Sequence, residues 1–220
     1  MSDEQMTNEQ IRAAASESVA AGDRIRERVR ALTLQALQSR RLDLASVREV
    51  MRSMTEGISV GVEHRGHGVR AALSDAFAGM DEALSKAAQA SSLALRELTD
   101  RGREFSDTEL RQGLERMRQM EGDFLESVRQ VSQAASGTVK SEWQELAAHA
   151  QRAGTDTGRV ISDTARDFSA RMTATMSDGA IASMDAARQF GERFAALASG
   201  MLAGMSEALR PEGHDRKPKA

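Results

Sequence analysis

The chain has 220 residues, 40% hydrophobic and 29% charged, with a formal net charge of −3. It contains no cysteine, which excludes disulfides and thiolate chemistry, and its near-balanced charge argues against nucleic acid as a main partner. Its two prolines, Pro211 and Pro218, both fall in the last ten residues. The long proline-free stretch before them, rich in Ala, Leu, Arg, Glu and Gln, is written as helix. The expected fold is therefore all-α: long amphipathic helices in an elongated hairpin, bundle or coiled-coil arrangement. Aromatic residues make up only 3% of the chain and alanine is abundant. That composition suits narrow helical seams better than a thick core.

In chain order, residues 1–7 read as a disordered polar start, acidic where an export signal needs a positive start and an apolar run. Thr7 and Gln10 then form a capping box that opens a helix over about residues 8–40, with Ile11, Val19, Ile25, Val29, Leu32 and Leu37 on its apolar face. A break is expected near 41–45. A second box, Ser46 to Glu49, starts a helix running towards Thr99, weakened at 57–68, where each of Gly57, Gly61, Gly66 and Gly68 costs about 1 kcal/mol relative to alanine. After a break near 101–106, the box Ser106-Asp107-Thr108-Glu109 precedes Leu110, Leu114, Met117, Phe124, Val128 and Val131.

From there an apolar track continues through Val139, Trp143, Ala150, Ala153, Val160, Phe168 and Met172 to Leu209. Its mean step is about 11/3 residues, the period that keeps a stripe nearly straight along a helix. Weak points fall at 154–158 and 177–179. The helical region, residues 8–210, reads as a single elongated unit, and residues 211–220 as a disordered basic tail.

Four features are candidates for function. Phe190, Phe194, Leu197, Met201, Leu202 and Met205 make the last helix the most apolar, with Asp185, Arg188, Glu192 and Arg193 confined to its first half, and they are the surface-contact candidates. The plainer reading makes them a seam against a neighbouring helix or protomer. Arg24, Arg26, Arg28 and Arg30 concentrate positive charge that could meet anionic lipid or phosphate, although a solvated face explains them more simply. His64 and His67 would share a face with Glu63 on a continuous helix, but no fourth ligand stands nearby, so no metal site is assigned. Gly57-x-x-x-Gly61 and Gly200-x-x-x-Gly204 have the spacing of close helix approach, without the long apolar span that gives it meaning in membranes.

No phosphate loop, nucleophile–base pair or apolar carboxylate pair is recognisable, so no catalytic residue and no cofactor are expected and the reading is non-enzymatic. The longest uncharged run near the C-terminus, Phe194 to Ser206, is thirteen residues, short of the roughly twenty that span a bilayer. No transmembrane segment is expected.

These features resemble the phasins of bacteria: proline-poor, alanine-rich, cysteine-free helices with a basic, proline-containing tail. The segment Ser183-Met184-Asp185-Ala186-Ala187-Arg188-Gln189-Phe190-Gly191-Glu192-Arg193-Phe194-Ala195-Ala196-Leu197 is the most similar in style. The resemblance implies a cytoplasmic protein that coats a polyhydroxyalkanoate or lipid granule, self-associates as a homo-oligomer and performs no catalysis. The alternative is an oligomeric coiled-coil scaffold whose stripes are permanently paired, with no surface-binding activity.

Overall fold

The structure is a computed structural model, and it describes residues 5–101, 107–172 and 184–208. Within them the chain is all helix: α1 (Asn8–Ala20), α2 (Ile25–Gln38), α3 (Leu44–Arg65), α4 (Val69–Arg101), α5 (Asp107–Ala134), α6 (Gly137–Ala153), α7 (Asp156–Met172) and α8 (Met184–Ala208). The expected breaks at 101–106 and 177–179, the Ser106 cap and the tail 211–220 lie outside the described residues. So do residues 1–4, whereas Met6 packs against the core and its carbonyl accepts from Arg40 Nη2 at 2.6 Å.

The local start and stop signals explain most of the boundaries. Thr7 caps α1 as the capping box requires: its Oγ1 accepts from Gln10 N and its own N–H donates to Gln10 Oε1, at 3.2 and 2.8 Å. The first helix is nevertheless two. Gly22 takes φ +83° directly after the end of α1, the left-handed turn that glycine makes without steric cost, and Arg24 follows at φ +48°. The cap of α3 also differs from expectation. Asp43, not Ser46, holds it, accepting from Ser46 N at 2.9 Å, and Glu49 pairs with Arg40 instead. The expected weakness at 57–68 resolves into an unbroken helix through Gly57 and Gly61, then a turn at Gly66 and Gly68, both at positive φ. A further break at Ala135–Ser136, before Gly137 at φ +53°, was not expected.

That break folds the long apolar track back on itself. α5 is antiparallel to α4, since Phe124 lies against Phe77 with the rings tilted, centroids 5.0 Å apart, while Gly113 lies against Leu95. α6 and α7 then run along α4 in its own direction: Arg70 pairs with Glu142, Asp81 meets Thr157, Ser92 meets Thr164 and Arg96 pairs with Asp167. α1 lies parallel to α3, residues 12 and 16 facing 57 and 61. α8 meets the end of α2 and the turn after it, Gln38 reaching Leu202 and Leu42 reaching Ser199.

The result is a bundle with one contiguous core, to which all eight helices contribute. α4 is its centre. It packs against α2, α3, α5, α6, α7 and α8, and its Ala72, Ala76, Ala83, Ala87, Ala88, Ala90 and Ala94 are all buried. Alanine thus serves the core in a way that area per side chain understates. Small side chains bring helix backbones close enough to add dispersion contacts between the backbones themselves. The two glycines of α3 act alike: an added Cβ at Gly57 or Gly61 would run into the carbonyl of Arg12 or Ser16 on α1. Gly79 on α4 meets the backbone of α2 at Arg26 and Arg30 in the same manner.

Candidate functional site

α8 carries the six surface-contact candidates, and their periodicity decides which way each points. Phe190, Phe194 and Leu202 are buried, while Leu197, Met201 and Met205 are half-covered and pack against the edge of the core. The Phe190 and Phe194 rings stack with centroids 5.8 Å apart, and the Arg116 guanidinium of α5 stands 6.0 Å from the Phe190 ring centroid, at the outer limit of a cation–π contact. The same guanidinium fills the space beside Gly191. Gly200 and Gly204, in contrast to Gly57 and Gly61, have open space where a side chain would stand. Among the described residues their spacing marks no close helix approach.

Polar contacts fix α8 to the α2–α3 turn. Leu42 N donates to Ser199 Oγ at 2.8 Å, Arg41 Nη2 to the Glu192 carbonyl at 2.8 Å, and Gln38 Nε2 to the Leu202 carbonyl at 3.3 Å. Between Leu42, Val47, Ser91, Met117 and Phe194 remains a void of about 20 Å³, room for about one water. It is too small for a substrate.

The arginine run of α2 is engaged in the fold. Arg26 and Arg30 both pair with Glu82 of α4, and Arg24 and Arg28 with Asp23. Sequence spacing could not reveal the Glu82 contacts, because their partner stands more than fifty residues away. His64 and His67 do not share a helical face, since α3 ends at Arg65 and His67 lies in the turn, its Nδ1 2.9 Å from the Arg65 carbonyl oxygen. Among the described residues no group of three or more His, Asp or Glu side chains could hold a metal ion. The α3–α5 groove at Asp43–Ala45, about 920 Å³, sets Arg111, Arg116 and Arg118 beside Glu115, Gln112 and Gln119. Of its two carboxylates, Asp43 and Glu115, the first is occupied as the cap of α3.

Two polar joints were missed at the level of sequence. Trp143, fully buried on α6, donates its indole N–H to Ser59 Oγ of α3 at 2.8 Å. Asp81, on α4 and only 7% exposed, accepts from the N–H groups of Asp156 and Thr157 at 2.7 and 3.1 Å and from Thr157 Oγ1 at 2.7 Å. It caps α7 from another helix. Asp81 stands beside Glu82 in the sequence with no local mark of a cap, and its partner lies 75 residues further on.

The architecture defines the class: an all-α bundle of amphipathic helices in which no described helix is long and apolar enough to cross a membrane. The model of the family of unknown function DUF6781 matches residues 1–211, and the chain belongs to that family. No curated protein and no solved structure is detectably similar to it.

Proposed function

We propose that this protein is a non-enzymatic coat for a hydrophobic surface such as a polyhydroxyalkanoate or lipid granule in the cytoplasm, to which it adsorbs by opening its bundle. The observation that carries this reading is that the apolar stripes are paired within one chain. Among the described residues only Val60 and Leu93 are large hydrophobic side chains classed as exposed. A permanent intermolecular coiled coil needs a free stripe on each protomer, and an adsorbing protein needs its stripes covered until a surface is met. The closed bundle fits the second requirement.

The energetics allow the exchange. Helix-to-helix and helix-to-surface burial are both worth about 25 cal/mol per Å² of apolar area, so moving a stripe from one to the other is close to neutral. Self-association belongs to the same reading, because opened stripes that meet no granule meet those of a second copy.

Flotation with polyhydroxyalkanoate or lipid particles tests the proposal. The protein should rise with the particles while far-ultraviolet circular dichroism remains helical and the Trp143 emission shifts as α6 leaves Ser59. A protein that stays in the soluble fraction at every concentration and salt level overturns it. A stable dimer to tetramer in sedimentation, indifferent to particles, would establish the scaffold instead.

A further inference from the structure

We infer that α7 is a strap that opens ahead of the rest of the bundle, with Asp81 as its latch, and that the face it uncovers is the first to meet an apolar surface. The last clause rests on the proposed function; the latch itself does not.

The seam between α7 and α4 is held in large part by buried polar side chains. Residues 157, 161, 164 and 168 line up at helical spacing towards the interior, and they alternate in kind: Thr157, Ile161, Thr164 and Phe168, all buried. Half of the inward positions therefore hold by hydrogen bonds. Thr157 binds Asp81, and Thr164 Oγ1 lies 3.0 Å from Ser92 Oγ. On α4 the facing positions 81, 85, 88 and 92 are Asp, Ser, Ala and Ser, each buried. Water can replace every one of these hydrogen bonds, so separating this seam loses less than separating one made of Leu, Met and Ile. By contrast α1 faces α3 with Ile11, Ala15 and Val19 across backbones in close contact.

The first turn of α7 shows how the strap is held shut. Thr155 caps the helix itself, its Oγ1 accepting from Gly158 N at 2.8 Å and donating to Glu121 of α5. The N–H groups of Asp156 and Thr157 are left to Asp81. A buried carboxylate at the positive end of a helix is a favourable pairing only while the two stay together. Just before it, Gly154 at φ +83° has nothing within 4 Å of where a side chain would stand, which gives the joint room to pivot. The outer face of α7 carries Arg159, Asp163 and Arg166, all exposed, and at its rim Asp167 pairs with Arg96 of α4 in solvent, where an ion pair holds weakly. Once released, α7 is an amphipathic helix with Ile161 and Phe168 free to insert.

Hydrogen exchange on Asp81→Ala and on the milder Thr157→Val decides the latch. Asp81→Ala should raise exchange in peptides covering 155–169 by about tenfold or more, and Thr157→Val by a smaller factor, while α1 and α3 stay protected. Unchanged exchange in 155–169, or an equal rise in every helix, overturns the latch.

The absence of native cysteine supplies a lock. Ser92→Cys with Thr164→Cys places a single reducible bond across the seam. Oxidised protein should lose most of its particle flotation and recover it with reductant. An oxidised form that floats as well as the reduced one overturns α7 opening as the route to the surface. If exchange is local as expected but no variant floats, the coat function fails and the latch stands.

Discussion

A glycine within a helix costs about 1 kcal/mol relative to alanine, yet that propensity has opposite consequences at different glycines of this chain. At Gly57 an added methyl would meet the Arg12 carbonyl and the Ala15 side chain of α1. Neither is the flexible end of a side chain, so Gly57→Ala should destabilise the bundle by about 1–3 kcal/mol despite its better propensity. Gly122 on α5 has open space, and Gly122→Ala should stabilise by up to about 1 kcal/mol. Urea midpoints of the two variants moving in the same direction would contradict the close-approach account. Charge at the residue scale is milder. Hydrogen bonds from Arg129 and then Gln130 hold the Glu126 carboxyl down from 4.5 to about 2. A depressed carboxylate contributes stability above its unfolded value and loses it as pH falls from about 4.5 through about 2. The pair stands at the surface, its side chains about half exposed, so the contribution is small and screened by salt, and Glu126→Gln should flatten only that acid limb of the stability curve.

At the scale of elements, α4 does the organising. Its 33 residues span about 50 Å, long enough to receive α2 on one side, α6 followed by α7 on another, and α5 and α8 besides. What distinguishes the joints is their chemistry. α1–α3 and α2–α4 combine glycine contacts with ion pairs at their rims, Arg12–Glu56 and Arg26–Glu82. The α3–α6 joint rests on the Trp143 indole, which shares Ser59 Oγ with that hydroxyl's own bond to the Thr55 carbonyl at 2.9 Å. Trp143→Phe keeps much of the ring packing and deletes the donor, and should cost about 1–2 kcal/mol. Thermal denaturation of that variant checks the figure, and a loss within error of zero would mean that the joint is held by packing alone.

For the whole molecule, the proposed exchange of burial partners predicts how adsorption responds to salt. Apolar contact is not screened, so the fraction of protein floating with uncharged particles should change by less than about twofold between low and high ionic strength. Binding carried by Arg24 to Arg30 would instead collapse over that range. The ion pairs of Arg26 and Arg30 with Glu82 argue for the first behaviour, because those arginines already have a carboxylate partner within the fold. Flotation at two salt concentrations separates the cases.

The sequence by itself determined that this protein is helical throughout its described length, and it marked the Thr7 cap, the turns near 41–45 and 154–158, and the inward faces of α1, α2, α3 and α5. Those are local properties, set by propensity, capping and a 3.6-residue period. It gave no view of the turn after Ala20 or the break at Ala135–Ser136, where Gly22 and Gly137 mattered more than an apolar track that runs on unchanged across them. The candidates on α8 were recognisable as apolar, but their division into buried Phe190, Phe194 and Leu202 and half-covered Leu197, Met201 and Met205 came from the neighbours α2, α4 and α5. Only the tertiary structure decided that the stripes close on one another within one chain, that Gly57 and Gly61 are contact points and not weak points, and that Asp81 caps a helix 75 residues further on. A stripe specifies that something must cover it; which surface does so depends on chain reversals and backbone distances that no local pattern encodes.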